Sequence, residues 1–237
     1  MKHSDHARTM TPIAVASFDL DGTLVDTAGE IAEAANRTIA EFGFERQPQP
    51  AIERFIGAGT RELMLRLVES LGGPGADDRT GRIGALLERF AHHYAATAGT
   101  SCRLYPGCAE ALDRLQLAGV RLACLTNKEE CYSLAVLRAM GIGECFALVV
   151  GGDTLAFRKP DPRVLQHIAT TLEVDLDALV HIGDSHTDVE TARHAGVAAW
   201  AVPWGYNGGE PIETARPDRV FADFGALADA VLATRVA

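Results

Sequence analysis

The chain has 237 residues, 47 % of them hydrophobic and 23 % charged, and carries a formal net charge of −10 at pH 7. That composition fills a sizeable core and excludes wholesale disorder, while the acidic balance, with no Lys/Arg cluster, excludes the basic face that a nucleic-acid binder needs. The five cysteines form no CxxC pair, which argues for a reducing compartment and against a disulfide framework or zinc site, and no apolar run approaches a membrane span, so the expected setting is cytoplasmic, with no membrane partner.

In chain order, residues 1–12 read as a polar tail. An apolar run over 13–20 reads as a buried strand and ends in "DLDGT", residues 19–23. Residues 27–100 hold no good strand. Instead "EIAEAANRTIAEFGF" (30–44), "TRELMLRLVESLG" (60–72) and "DRTGRIGALLERFAHHYAATAG" (78–99) carry apolar residues at helical spacing, with loops expected at 47–50 and 72–75. "LYPGC" (104–108) marks the return. From there helices and strands alternate. Helix 108–118 precedes strand 120–125, which runs into "TNK", and helix 129–140 precedes strand 146–150, which runs into "GGD". Helix 162–172 opens on a proline suited to a first turn. Strand 178–182 runs into "GDSHTD", helix 187–195 follows, and strand 197–202 runs into "PWGYNGGEP".

Short apolar strands alternating with helices predict an α/β fold: a Rossmann-like parallel sheet with helices on both faces. The expected core is 13–26 plus 101–237, with a small all-α unit, 27–100, inserted after the first strand. In such a sheet the polar residues at the strands' carboxyl ends meet on one rim. Asp19, Asp21, Thr126, Asn127, Lys159, Asp184 and Asp188 then share that rim. Carboxylates open to phosphate are typical Mg²⁺ ligands; a hydroxyl, an amide and a lysine supply donors for phosphoryl oxygens. Blander readings exist for each. An Asp-Gly pair forms turns, Thr126 and Asn127 suit a helix N-terminus, and Asp184 and Asp188 suit capping or a helix surface.

Four signatures fall in order: "DLDGT" at 19–23, "LTN" at 125–127, "RKPDP" at 158–162 and "GDSHTD" at 183–188. Together they resemble the haloacid-dehalogenase superfamily, and "GGDTLAFRKPDP" (151–162) with "PWGYNGGEPI" (203–212) resembles its bacterial phosphoglycolate phosphatase branch. The resemblance implies a Mg²⁺-dependent phosphatase of a small phosphorylated metabolite, with 2-phosphoglycolate as lead substrate. Asp19 is then the nucleophile that forms an aspartyl-phosphate, and Asp21 the general acid and base. Asp19, the Asp21 carbonyl and Asp184 would bind the metal, and Thr126, Asn127 and Lys159 the phosphoryl group. Asp188 would orient Lys159 or Ser185, and the inserted helices would act as a cap. The second aspartate of "DLD" sets the chain apart from true dehalogenases. For the substrate's carboxylate, Arg61 in "FIGAGTRELM" (55–64) is the candidate cation, against its reading as a solvated helix charge. The rivals are β-phosphoglucomutase-like transfer, a sugar-phosphate phosphatase and a catalytically silent binding module. The presence of Asp19, Asp21, Lys159 and Asp184 counts against the last. A monomer or a homodimer is expected.

Overall fold

A computed structural model describes residues 11–73 and 81–235. Most of the polar tail, and the end of the expected loop at 72–75 with the start of the helix beyond it, lie outside the described residues. The main sheet has six strands: β1 (Val15–Phe18), β4 (Arg121–Leu125), β5 (Leu148–Val150), β6 (Leu179–Gly183), β7 (Ala198–Ala201) and β8 (Arg219–Val220). They pair in parallel in the order β5-β4-β1-β6-β7-β8. The order reverses at β1, so β4 and β6 flank it on either side. This is the doubly wound arrangement, whose ligand crevice opens at the carboxyl ends where the order reverses.

Alternation along the strands divides the core. Ala16, Phe18, Leu122, Cys124, Val180 and Ile182 face helices α5 (Cys108–Leu117) and α9 (Phe224–Ala233). Val15, Ala123, Leu125 and Leu179 face α7 (Arg163–Thr171) and α8 (His186–Ala195). Central strands buried on both faces read as the near-continuous apolar runs seen in the sequence. The exception is Ser17, which faces its register partner His181 across the β1–β6 pair, Oγ to Nδ1 at 3.1 Å.

Between β2 (Val25–Asp26) and β3 (Arg103–Leu104) lie the helices α1 (Ala28–Glu41), α2 (Gln49–Glu53), α3 (Thr60–Ser70) and α4 (Arg82–Thr97). They gather around a cluster of their own that includes Ile31, Ile39, Met64, Leu67, Phe90 and Tyr94. The chain leaves and re-enters the sheet layer side by side, because β2 and β3 pair antiparallel, Val25 opposite Leu104. The expected loop at 47–50 is corrected: Pro48 is the residue before α2 and Pro50 stands in its first turn, where its fixed φ favours a helix start. Among the described residues no helix is long and apolar enough to cross a membrane.

Candidate active site

The first carboxylate is placed by the sheet itself. The Asp19 N–H donates to the Ile182 carbonyl at 2.9 Å, so the residue continues the β1–β6 ladder one step past β1. Its Oδ1 accepts from the next residue's N–H, Leu20, at 2.7 Å. The chain then turns at Gly22, whose φ of +83° favours glycine. A Cβ there would lie 2.4 Å from Asp184 Oδ2, and one at Gly205 would lie 2.3 Å from the same atom. The two glycines thus form a cradle for the Asp184 carboxylate. Its Oδ1 accepts from the Thr23 hydroxyl at 2.6 Å and its Oδ2 from the Tyr206 N–H at 2.5 Å.

Helix α8 begins at this rim, and its N-terminus carries both readings of Asp188. Ser185 and Asp188 form a reciprocal capping box, in which Asp188 Oδ2 accepts from the Ser185 N–H at 3.1 Å and its hydroxyl at 2.5 Å. Asp188 Oδ1 faces the other way. It takes the Lys159 ammonium at 2.6 Å and lies 3.2 Å from His181 Nε2. Lys159 Nζ also lies 2.9 Å from Asp19 Oδ1. The capping role and the contact with Lys159 therefore coexist, one on each oxygen.

Thr126 and Asn127 extend β4 over the same rim. The Thr126 N–H donates to the Val150 carbonyl at 3.0 Å, and its hydroxyl accepts the Lys128 N–H at 3.3 Å. Neither residue caps the next helix, α6 (Glu130–Ala139), because Glu129 holds the N-cap position without a side-chain bond. Asn127 Nδ2 donates to the carbonyls of Gly57 and Lys159, each at 3.1 Å. Its Oδ1 is buried with no partner among the described residues.

Asp21 is held by the Thr27 hydroxyl at 2.6 Å and by the ammonium of Lys128 at 3.0 Å, both on Oδ1. Lys128 Nζ also donates to the Tyr94 hydroxyl at 2.6 Å, and Tyr94 donates to Glu30 Oε1 at 3.1 Å. A cavity opens here between rim and helices, walled by Asp19, Asp21, Thr126, Asn127 and Lys128 on one side and by Ile31, Ile56, Leu63, Phe90 and Tyr94 on the other. Arg61 does not line it. The residue is exposed and borders a neighbouring cavity with Arg158 and Tyr132.

The electrostatics show a shortage of positive charge. Carboxylate oxygens of Asp19, Asp184 and Asp188 lie within 4.8 Å of one another, all buried. Burial works against the charge of Lys159, but Asp188 and Asp19 outweigh it and hold the ammonium protonated. Burial also opposes ionisation of Asp188, yet Lys159 and His181 keep that carboxyl well below the usual range. The other two are left over. Burial pushes Asp19 up, Lys159 pulls against it, and Asp188 and Asp21 add to the rise. Asp184 is pushed well up by burial and by the charges of Asp188 and Asp19. Burial opposes the ionisation of both carboxyl groups, and a hard divalent cation is the kind of added positive charge that favours it.

The structure thus brings together seven of the eight residues singled out in the sequence, and leaves Arg61 aside. Sequence reasoning missed Lys128, Tyr94, Glu30 and Tyr206. Lys128 had a signal, since it stands two residues after Thr126 at the same strand end.

Residues 17–202 match the model of the haloacid dehalogenase-like hydrolase family. The chain belongs to that family. A phosphoglycolate phosphatase of Nitrosospira multiformis is 40 % identical over 202 residues, 85 % of this chain and 88 % of that protein. The crystal structure of a predicted phosphoglycolate phosphatase from Haemophilus somnus 129PT superposes with a TM-score of 0.86 at 28 % identity, covering 93 % of this chain and 99 % of the other. CbbY of Rhodobacter sphaeroides, solved in complex with phosphate, superposes with a TM-score of 0.76 at 27 % identity, covering 91 % and 96 %.

Proposed function

We propose that this haloacid dehalogenase-like hydrolase is a phosphatase that releases phosphate from small monoesters, with 2-phosphoglycolate the leading substrate, by way of an aspartyl-phosphate on Asp19. The observation that carries the reading is the single ammonium of Lys159 shared between Asp19 and Asp188 at the point where strand order reverses, with Asp184 beside them. The phosphatase relatives, and phosphate in the CbbY structure, support it.

In this reading an oxygen of Asp19 attacks phosphorus. The bond from phosphorus to the ester oxygen breaks, and Asp21 gives its proton to the departing alkoxide. Water then attacks the phosphorus of the acyl phosphate, Asp21 takes a proton from that water, and the Asp19 carboxylate is regenerated. Lys159 and Thr126 hold phosphoryl oxygens where charge develops, and Asn127 ties the rim to the helices through Gly57. Asp19, Asp184 and the main-chain carbonyl of Asp21 would hold Mg²⁺, which when bound offsets the repulsion between carboxylates and phosphoryl oxygens. Residues 27–100 act as a cap that excludes water and selects the leaving group.

The test is a phosphate-release screen over small phosphate esters with Mg²⁺, without a bisphosphate primer. The expected result is turnover with 2-phosphoglycolate giving the highest kcat/KM, abolished by a chelator and restored by Mg²⁺. Release only after priming with a bisphosphate would favour the mutase-like rival, and full activity in chelator would remove the metal.

A further inference from the structure

The geometry points to Lys128 as the residue that reads the substrate's carboxylate, and so to small acids phosphorylated on the hydroxyl of the carbon that bears that carboxylate as the substrate class. This inference rests on the phosphatase reading above. Lys128 is buried, and among the described residues it is the one cationic side chain lining the cavity that holds Asp19 and Asp21. Across from it the wall is largely apolar: Ile31, Ile56, Leu63 and Phe90. An anion entering that space loses its water and needs a partner inside it.

The ammonium is held in place. It bonds to Asp21 Oδ1 at 3.0 Å and to the Tyr94 hydroxyl at 2.6 Å. Tyr94 is in turn fixed by Glu30 at 3.1 Å, and Glu30 by the Gly99 N–H at 2.9 Å. An ammonium has three donors, and these bonds account for two of them. In the proposed reaction Asp21 serves the leaving oxygen. In 2-phosphoglycolate the carboxylate carbon is two bonds from that oxygen, so an ester whose leaving oxygen meets Asp21 brings its carboxylate beside Lys128. A charge-assisted bond there is stronger than a neutral one. Arg61, by contrast, is exposed and borders the adjacent cavity.

The experiment compares kcat/KM for 2-phosphoglycolate and for ethyl phosphate, which is of similar size but lacks the carboxylate. The wild type, Lys128→Met, Lys128→Arg and Arg61→Met are measured with Mg²⁺, with circular dichroism as the check on folding. The expected result is a preference for 2-phosphoglycolate that falls about ten- to a hundredfold in Lys128→Met. The preference is partly restored in Lys128→Arg and kept in Arg61→Met. Should Lys128→Met lower both substrates by the same factor, Lys128 only positions Asp21 and the inference is overturned. A preference that collapses in Arg61→Met instead overturns it as well. If Lys128→Met does not fold, an unchanged preference in Lys128→Arg combined with a lost one in Arg61→Met overturns it. Wild-type hydrolysis of both esters without preference rejects this inference alone, whereas no phosphate from either ester rejects the phosphatase reading beneath it.

Discussion

At the strand ends Asp19, Lys128, Lys159, Asp184 and Asp188 are buried charged residues bonded to one another or to hydroxyl and amide groups. In the helical layer the ion pairs Arg37–Glu33, Arg66–Glu62 and Arg89–Glu41 lie on the outside, and the interior is chiefly Ile, Leu, Met and aromatic side chains. Among the described residues of that layer Glu30 is the buried charged one, and it is bonded toward the rim through Tyr94. Buried charges fix positions because each loses much when its partner moves. Apolar walls accept changes of shape at lower cost. The rim is therefore the part held to one geometry, and the apolar interior of the helical layer is the part that tolerates a change of shape.

Three substitutions can break or sharpen that contrast. Lys159→Met leaves Asp19 and Asp188 buried without their cation, so a loss of about 3–5 kcal/mol is expected in urea unfolding, together with loss of activity. The junction comes next. The Tyr206 hydroxyl donates to Asp26 Oδ1 at 2.5 Å and accepts the Thr27 and Ala28 N–H groups at 2.9 and 3.0 Å. Tyr206→Phe removes the hydroxyl from the Thr27 N–H and leaves Ala28 N–H and Asp26 Oδ1 only their longer mutual bond of 3.3 Å where the chain enters α1, and a loss of about 1–3 kcal/mol is expected in the same assay. The smallest effect belongs to the layer's surface. Hydrogen bonds from Arg89 and His93 pull the Glu41 carboxyl from its ordinary 4.5 down to about 2. Because the folded value is depressed, the stabilisation is present above pH 4.5 and is lost as pH falls through about 2. The stability gap between wild type and Glu41→Gln should close over that window, and added salt should shrink it. A larger loss from Glu41→Gln than from Lys159→Met would erase the contrast.

Much of this was legible in the sequence because of where the residues stand. Strands such as 120–125 and 178–182 are apolar runs buried on both faces, so their ends, and the polar residues just past them, can be read without knowing the partners. That is why Asp19, Thr126 and Asp184 could be assigned to one rim. What escaped had no periodicity or had distant partners. The two-residue strands β2, β3 and β8 are too short to alternate. The five-residue α2 begins inside a proline-rich stretch that reads as a loop. Helix α9 buries Leu227 and Val231, but its ten residues are apolar almost throughout, so no polar face marks a helical period. Lys128 meets Tyr94 from 34 residues away, and Tyr206 meets Thr27 from 179 away. Neither contact leaves a local pattern. Arg61 shows the opposite case: a cation near a plausible loop invites a role, and in the structure it borders the neighbouring cavity.

The central claim is that the Asp19 carboxylate takes the phosphoryl group. Acid quenching during turnover of 2-phosphoglycolate, followed by peptide mass mapping, tests it most directly. The expected result is a phosphoryl group on the peptide that contains Asp19, labile to hydroxylamine as an acyl phosphate is, and absent in Asp19→Asn, whose turnover falls by roughly 10⁴–10⁶-fold while its circular dichroism is unchanged. Near wild-type phosphate release by Asp19→Asn, or a phosphoryl group trapped on another residue, would contradict it.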